Sequence, residues 1–250
     1  MDRTSRARQI WSLVAMNGFV PMKRQPLYLV NTLTSPFSFL FFIAIVGGPS
    51  AIPFGVAGGM ILTILSIGTS LQADMTHYKQ DLKLQDMVVA SPMGAGIYVT
   101  GMALSEFVYA IPGMTVFAIL SVLFGHYVFL GGVAVVVTLV LLWVFASALG
   151  FTLATYLADV RETFVVSPII SLALTVIPPV YYPITRWPAF LRPVAYIFPT
   201  TWAANLVQGA LGISASPLTL AQGVEDGLVL VATAAILFLL AWTKAQWRER

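Results

Sequence analysis

Six long apolar runs, separated by short polar or Pro-rich connections, constrain what this chain can fold into. A helix that crosses the hydrocarbon core of a membrane needs about 20 predominantly apolar residues. Only 9% of the residues are charged, whereas about a quarter are charged in an ordinary soluble domain. We therefore predict an all-α membrane protein whose six transmembrane helices span residues 27–46, 54–72, 97–124, 132–156, 164–181 and 227–243.

The positions of the basic residues predict the orientation of these helices. An even number of spans places both termini on one side, and cytoplasmic connections carry an excess of Lys and Arg. With both termini in the cytoplasm, only Arg186 and Arg192 of the 13 Lys and Arg residues lie outside. We therefore predict a multi-pass protein of the plasma membrane, surrounded by membrane lipid, with both termini cytoplasmic.

Residues 1–24 predict an amphipathic helix on the cytoplasmic membrane surface. Ala7, Ile10, Trp11 and Val14 recur at the spacing of one helical face. Basic residues flank this face, as they do in helices that lie in the membrane interface. Lys and Arg also stand where the small-residue cleavage site of a signal peptide would be. The sequence therefore favours a surface helix over a signal peptide.

The longest predicted cytoplasmic connection covers residues 73–96. Within it, Tyr78, Leu82 and Gln85 share a helical face, and the Ser91-Pro92 dipeptide would end such a helix. Charges of both signs surround this apolar stripe. A helix that docks a partner and an ordinary solvated loop are both compatible with these residues.

Motifs of several enzyme classes are absent from the sequence. It contains no H-E-x-x-H zinc motif and no G-x-x-x-x-G-K-[ST] phosphate-binding loop. It has no cysteine, and the predicted topology places His77 and His126 on opposite sides of the membrane. We therefore predict that the chain is not an enzyme and holds no metal or other cofactor of its own. We also expect no nucleic-acid partner.

Glu106 is the only carboxylate in the interior of a predicted span. Ionisable residues are costly in hydrocarbon, and they usually face the interior of a helix bundle or an aqueous cavity. One interpretation is a contact for a cationic substrate or a proton. The other is a structural hydrogen bond to a neighbour such as Ser105 or Tyr109.

Two predicted spans carry stripes of small and hydroxylated residues at four-residue spacing, which keeps them on roughly one helical face. Such residues allow close helix packing and hydrogen bonds between helices. Packing within one subunit and a dimer seam along a weakly polar path are both open. In the second span the four-residue stripe is Gly55, Gly59 and Thr63, followed by Ser66 and Ser70, and in the fifth it is Ser167, Ser171, Thr175 and Pro179.

The connection before the last span, residues 183–212, is too apolar for a solvated loop and too rich in proline for a simple span. It follows Tyr181-Tyr182 and contains Trp187-Pro188 and Pro199-Thr200-Thr201-Trp202. Irregular backbone at membrane depth is tolerated only against protein or water. We therefore predict a re-entrant helical segment at the extracellular side.

These features, in this order, resemble the permeases of type-2 ABC exporters. The more specific ones are the loop ending in Ala90-Ser91-Pro92 and the outer segment Tyr-Pro … Pro-Thr-Thr. The likeness covers the whole chain and implies one permease domain, 1–250, with a coupling loop at 73–96. It implies a separate ATPase subunit that binds ATP and Mg²⁺, and a second permease copy, either this chain or a close homologue. The implied function is ATP-driven efflux of an amphiphilic drug-like or lipid-linked substrate.

The resemblance also implies three groups of site residues. Those expected to contact the ATPase are Arg8, Trp11, Tyr78, Lys79, Asp81 and Leu82. Those expected to border the substrate path are Thr63, Ser66, Ser70, Glu106, Ser167, Ser171 and Thr175. Those expected in the outer gate are Tyr181, Tyr182, Pro199, Thr200, Thr201 and Trp202.

Two other function classes are compatible with the residues. A secondary transporter or channel would use Glu106 as its coupling site and would work without an ATPase. A membrane scaffold or enzyme subunit without transport is disfavoured by the missing catalytic residues and by the ordered cytoplasmic connection.

Overall fold

The computed structural model describes residues 3–24, 27–80, 93–157, 159–214 and 219–244, and these ranges contain helices, turns and no β-strand. A π-helical turn, Ala15–Phe19, joins the first two helices. The helices are α1 (Arg3–Val14), α2 (Val20–Arg24), α3 (Leu27–Gly47), α4 (Ile52–Gln80), α5 (Ala95–Phe124), α6 (Gly131–Tyr156), α7 (Val160–Val176), α8 (Arg192–Ala195), α9 (Pro199–Ala210) and α10 (Leu220–Lys244).

Four helical stretches among the described residues are long and apolar enough to cross a membrane: Pro49–Tyr78, Gly96–Phe124, Gly131–Tyr156 and Leu220–Leu240. A shorter apolar stretch, Thr32–Gly47, lies in α3. The all-α membrane architecture is therefore confirmed, whereas the count of six spans stays a prediction.

Helix α4 is the centre of the bundle. Of its best apolar window, 72% is buried, against 28% in α5, 44% in α6 and 17% in α10. It packs against α3, α5, α6, α7 and α9. Its side chains form much of the larger hydrophobic core. Met60, Ile61 and Leu65 of α4 are buried in this core together with Leu142 and Phe145 of α6.

Two predicted boundaries shift because of local helix signals. The fifth predicted span ends at Val176 rather than at residue 181, since Pro178 and Pro179 have no N–H to continue the helix. The last helix begins at Leu220 rather than at residue 227. Thr219 and Gln222 form a reciprocal cap there, with Thr219 N donating to Gln222 Oε1 at 3.2 Å and Gln222 N donating to Thr219 Oγ1 at 3.3 Å.

The predicted connection 73–96 begins as a continuation of α4, which runs without a break to Gln80. Helix α5 then begins at Ala95. Asp81 and Leu82 and the side chain of Lys79 lie outside the described residues. The separate docking helix predicted there therefore stays a prediction beyond Gln80.

Candidate functional site

The small residues of α4 allow two neighbouring aromatic rings to approach its backbone. A Cβ atom added to Gly59 would lie 2.1 Å from the ring of Phe117 on α5. At Gly58 it would lie 2.3 Å from the ring of Tyr181. Thr63 is buried in the same face and donates to the Gly59 carbonyl at 2.7 Å. This part of the predicted stripe packs helices together within one chain.

The hydroxyl stripe of α7 packs on Thr69 of α4. Ser167 Oγ donates to the Thr69 carbonyl at 2.6 Å, and Ser171 Oγ lies 2.6 Å from Thr69 Oγ1. Thr175 Oγ1 donates to the Ser171 carbonyl at 2.7 Å. All four side chains are buried, so Ser167, Ser171 and Thr175 contact α4 or their own helix rather than an open surface.

Thr69 and Gln72 belong to this seam, although the sequence analysis did not select them. Gln72 Nε2 donates to the Thr163 carbonyl at 2.9 Å, which holds the start of α7. Thr69 precedes Ser70 of the predicted stripe by one position, and Gln72 follows it by two. The presence of a hydroxyl and an amide group in an otherwise apolar helix was the sequence signal that could have indicated hydrogen bonds to a neighbouring helix.

Ser66 and Ser70 are the partly exposed members of the predicted substrate path. Ser70 Oγ lies 2.8 Å from Glu106 Oε2 on α5. Glu106 is only 4% exposed, and Asp74, one turn beyond Ser70, lies within hydrogen-bonding reach of it. The buried carboxyl thus stands behind Ser70 and links α5 to α4. No group of three or more Asp, Glu, His or Cys in the described ranges could hold a metal ion.

The partners of Glu106 differ from the predicted ones. Ser105 Oγ donates to the Gly101 carbonyl at 2.7 Å and lies 3.3 Å from the Leu13 carbonyl. Tyr109 OH donates to the Asn17 carbonyl at 2.9 Å. Both side chains therefore bond to the N-terminal segment.

The N-terminal segment packs on α5 through residues 13–18. Leu13, Val14, Asn17 and Gly18 are buried, whereas Trp11 is 63% exposed. The π-helical turn at 15–19 changes the register that a regular helix would have kept. Arg8 and Trp11 lie before this turn, and both are exposed at the end of the bundle where this segment docks.

A second hydrophobic cluster joins this segment to α4 and α5. We call it the basal cluster; Tyr78 and Trp143 are among the side chains packed against it. It lies at the end of α4 opposite the Gly58–Tyr181 contact, which we call the distal end. Its buried members are Leu13, Leu71, Met75, Tyr98, Met102 and Ala103.

Tyr181 anchors the predicted outer gate at the distal end. It is 4% exposed, packs against Gly58 of α4 and stacks on Phe39 of α3 with ring centroids 5.3 Å apart. Tyr182 OH donates to the Ile177 carbonyl at 3.1 Å, and Trp187 Nε1 lies 3.0 Å from Tyr182 OH. The aromatic pair thus fixes the chain where it leaves α7.

The rest of the predicted gate lies on α9, which begins with Pro199 at its first position. Thr200 and Thr201 are buried, and Thr201 donates to the Ala195 carbonyl. Trp202 Nε1 donates to the Tyr196 carbonyl at 2.9 Å. At 12 residues α9 is too short to cross a membrane, and it packs against α6, α10 and α4. The structure thus places all six predicted gate residues within one segment beside the helix bundle.

The family model described as the ABC-2 type transporter matches residues 8–212 of this sequence. The chain belongs to the ABC-2 type transporter family. The match begins at Arg8 and continues through the basal cluster, the α4–α7 seam and the distal segment to Gly212. A comparison with curated proteins finds no match.

ABC-2 membership identifies the chain as a membrane-embedded, multi-pass permease of an ABC transporter. Permeases of this family work with an ATPase subunit and are transport subunits rather than enzymes themselves. The recognition made from the sequence is therefore confirmed. The contacts described above are therefore contacts within one ABC-2 permease chain.

Proposed function

We propose that this ABC-2 permease is the membrane subunit of an ATP-driven exporter of the plasma membrane. Six spans place both termini in the cytoplasm, and the basal end of the bundle faces that side. A separate ATPase subunit carries ATP and Mg²⁺, and a second permease, this chain or a close homologue, completes the translocation path. The exported substrate is an amphiphilic drug-like or lipid-linked molecule.

The basal cluster is the observation that carries this proposal. It brings together two elements for which the family resemblance implies ATPase contact, the N-terminal helix through Leu13 and the end of α4 through Tyr78. Arg8 and Trp11 lie exposed beside it. Because packed cores respond as units, a displacement of either element by the ATPase reaches α4 and α5 together.

Helix α4 offers a direct connection from the basal cluster to the outer gate. Met75 lies in the cluster, and Gly58 contacts Tyr181. The 17 residues between them correspond to about 25 Å of helix. In our proposal, ATP-driven association of the ATPases moves α4 and thereby shifts the equilibrium between closed and open gate.

We place the substrate path along the partly exposed face of Ser66 and Ser70. In this arrangement Glu106 orients the Ser70 hydroxyl from behind. Thr63, Ser167, Ser171 and Thr175 border the path indirectly, since they hold α4 to its neighbours.

Transport by purified components tests the proposal. Proteoliposomes containing the permease and its ATPase should export a fluorescent amphiphile only when ATP and Mg²⁺ are supplied. Proteoliposomes containing the permease alone should show no transport, with or without an ion gradient. Transport by the permease alone would contradict the ATP-driven mechanism.

A secondary transporter coupled through Glu106 is the competing function, and the buried carboxyl beside Ser70 and Asp74 is the observation that favours it. Glu106→Gln separates the two functions. In an ATP-driven exporter the variant should keep transport within about twofold of wild type, because the Gln carbonyl still accepts from Ser70.

The matched control for this variant is Glu162→Gln, which removes an exposed carboxylate at the start of α7. Transport rates of both variants are measured in the same proteoliposomes. Loss of transport in Glu106→Gln alone, together with a requirement for a proton or cation gradient, would favour the secondary transporter.

A further inference from the structure

A cavity of about 390 Å³ lies at the distal end, between the segment that follows α7, helix α9 and the start of α10. Small-molecule sites have volumes of about 300–1,000 Å³. The cavity lies outside the groups of residues discussed so far, except that Trp202 of the predicted gate forms part of its wall. Other lining residues are Tyr196, Asn205, Gln208, Glu225 and Asp226.

Asp226 is an acidic group for which the described residues provide no partner. It is 5% exposed and lines the cavity, yet it accepts no hydrogen bond and forms no ion pair within the described part of the chain. Burial of a carboxyl group without such a partner is costly. Glu225 supplies a second carboxylate to the same cavity, and the described residues that line it include no Lys, Arg or His.

The other walls of the cavity offer a ligand a hydrogen-bond acceptor and two aromatic rings. Gln208 Nε2 donates to the carbonyls of Pro179 and Val180 at 3.3 and 3.2 Å, which leaves its Oε1 as an acceptor. Trp202 Nε1 is occupied by the Tyr196 carbonyl. The rings of Trp202 and Tyr196 lie 4.9 Å apart, centroid to centroid, and both form part of the wall.

We propose that this cavity binds the cationic head of an organic amphiphile, a protonated amine or a quaternary ammonium group. The Asp226 and Glu225 carboxylates supply the opposite charge, and the faces of Trp202 and Tyr196 supply cation–π contacts. This assignment deepens the proposed function and rests on it for the direction of transport. In that function the cavity is a binding site on the exit side of the membrane. Binding itself requires no ATPase.

The cavity is also connected to the gate. Gln208 holds the carbonyls of Pro179 and Val180, the two residues that precede Tyr181. A ligand that bonds to Gln208 Oε1 therefore acts on the segment that positions Tyr181 against α4. Occupancy of the cavity and the position of the gate are linked through this one amide.

Binding is tested with the purified full-length chain in neutral detergent, without ATPase, with benzyltrimethylammonium as the probe. Titration is followed by tryptophan fluorescence and by calorimetry. We expect saturable binding to the wild type and at least a tenfold weaker affinity in Asp226→Asn, which keeps the size of the side chain but removes its charge. Glu225→Gln, at an exposed residue, should weaken binding several-fold without affecting folding.

Two controls make the outcome decisive. Glu162→Gln removes a carboxylate far along the chain and should bind the probe like wild type. Maltose, a neutral polar ligand, should not bind. The assignment would be overturned by any of three results. These are absence of saturable probe binding, wild-type affinity for the probe in both Glu225→Gln and Asp226→Asn, and binding of maltose in place of the cation. Failure of the exporter proposal would appear separately, as absence of ATP-dependent transport with probe binding intact.

Discussion

Gly68→Ala is expected to destabilise the folded permease by about 2–3 kcal/mol. The added Cβ would lie 2.3 Å from Ala146 Cβ on α6, 2.9 Å from the Ala146 carbonyl carbon and 3.0 Å from Ser147 N. Two of these atoms belong to the backbone, so no rotamer change relieves the contact. Gly150→Ala should behave alike, since its Cβ would lie 2.5 Å from the Gly68 carbonyl oxygen.

Gly132→Ala is the matched control, because a Cβ there meets nothing within 4 Å. Helix propensity favours Ala over Gly in all three variants, by up to about 1 kcal/mol, so a loss of stability in Gly68→Ala and Gly150→Ala alone reports the contact between α4 and α6. Thermal unfolding of the purified variants in one detergent measures that difference. Equal transition temperatures for Gly68→Ala and Gly132→Ala would show that the two backbones do not approach as described.

Arg8→Glu combined with Trp11→Ala is expected to lower ATP-dependent transport at least about tenfold, the loss typical of removing a hot spot from an interface. Both side chains are exposed beside the basal cluster, and the Trp11 ring lies 5.9 Å from the ring of Phe19, centroid to centroid. The double variant should therefore fold like wild type. The loss should come from weaker contact with the ATPase.

Phe129→Ala provides the comparison, since Phe129 is 94% exposed and lies in the connection between α5 and α6 at the distal end. Transport and ATPase association are measured for both variants in the same membranes, with thermal unfolding as the folding check. Wild-type transport by the Arg8→Glu/Trp11→Ala variant would remove the N-terminal helix from the coupling mechanism.

The sequence was sufficient to predict the long apolar helices and their small-residue faces. Gly59 and Thr63 were correctly placed at a close contact, because four-residue spacing of small side chains is a local property of one helix. Which helix packs on a given face depends on the tertiary structure, and Thr69 and Gln72 were missed for this reason. Hydrogen bonding of Ser167 and Ser171 to Thr69 depends on the relative rotation of α4 and α7.

One predicted boundary was wrong for a local reason. The start of α10 was misplaced although Thr219 and Gln222 form a recognisable capping box. Placing the start later kept Glu225 and Asp226 out of the last helix, and thus hid the acidic wall of the distal cavity.

Co-purification from native membranes tests the central claim most directly. The full chain, tagged at its C-terminus, is extracted in mild detergent, and the bound proteins are identified and quantified. Our account predicts an ATPase subunit in one-to-one stoichiometry with the permease, and its loss from the Arg8→Glu/Trp11→Ala variant. Recovery of the permease alone, together with transport in liposomes lacking ATP, would contradict the account.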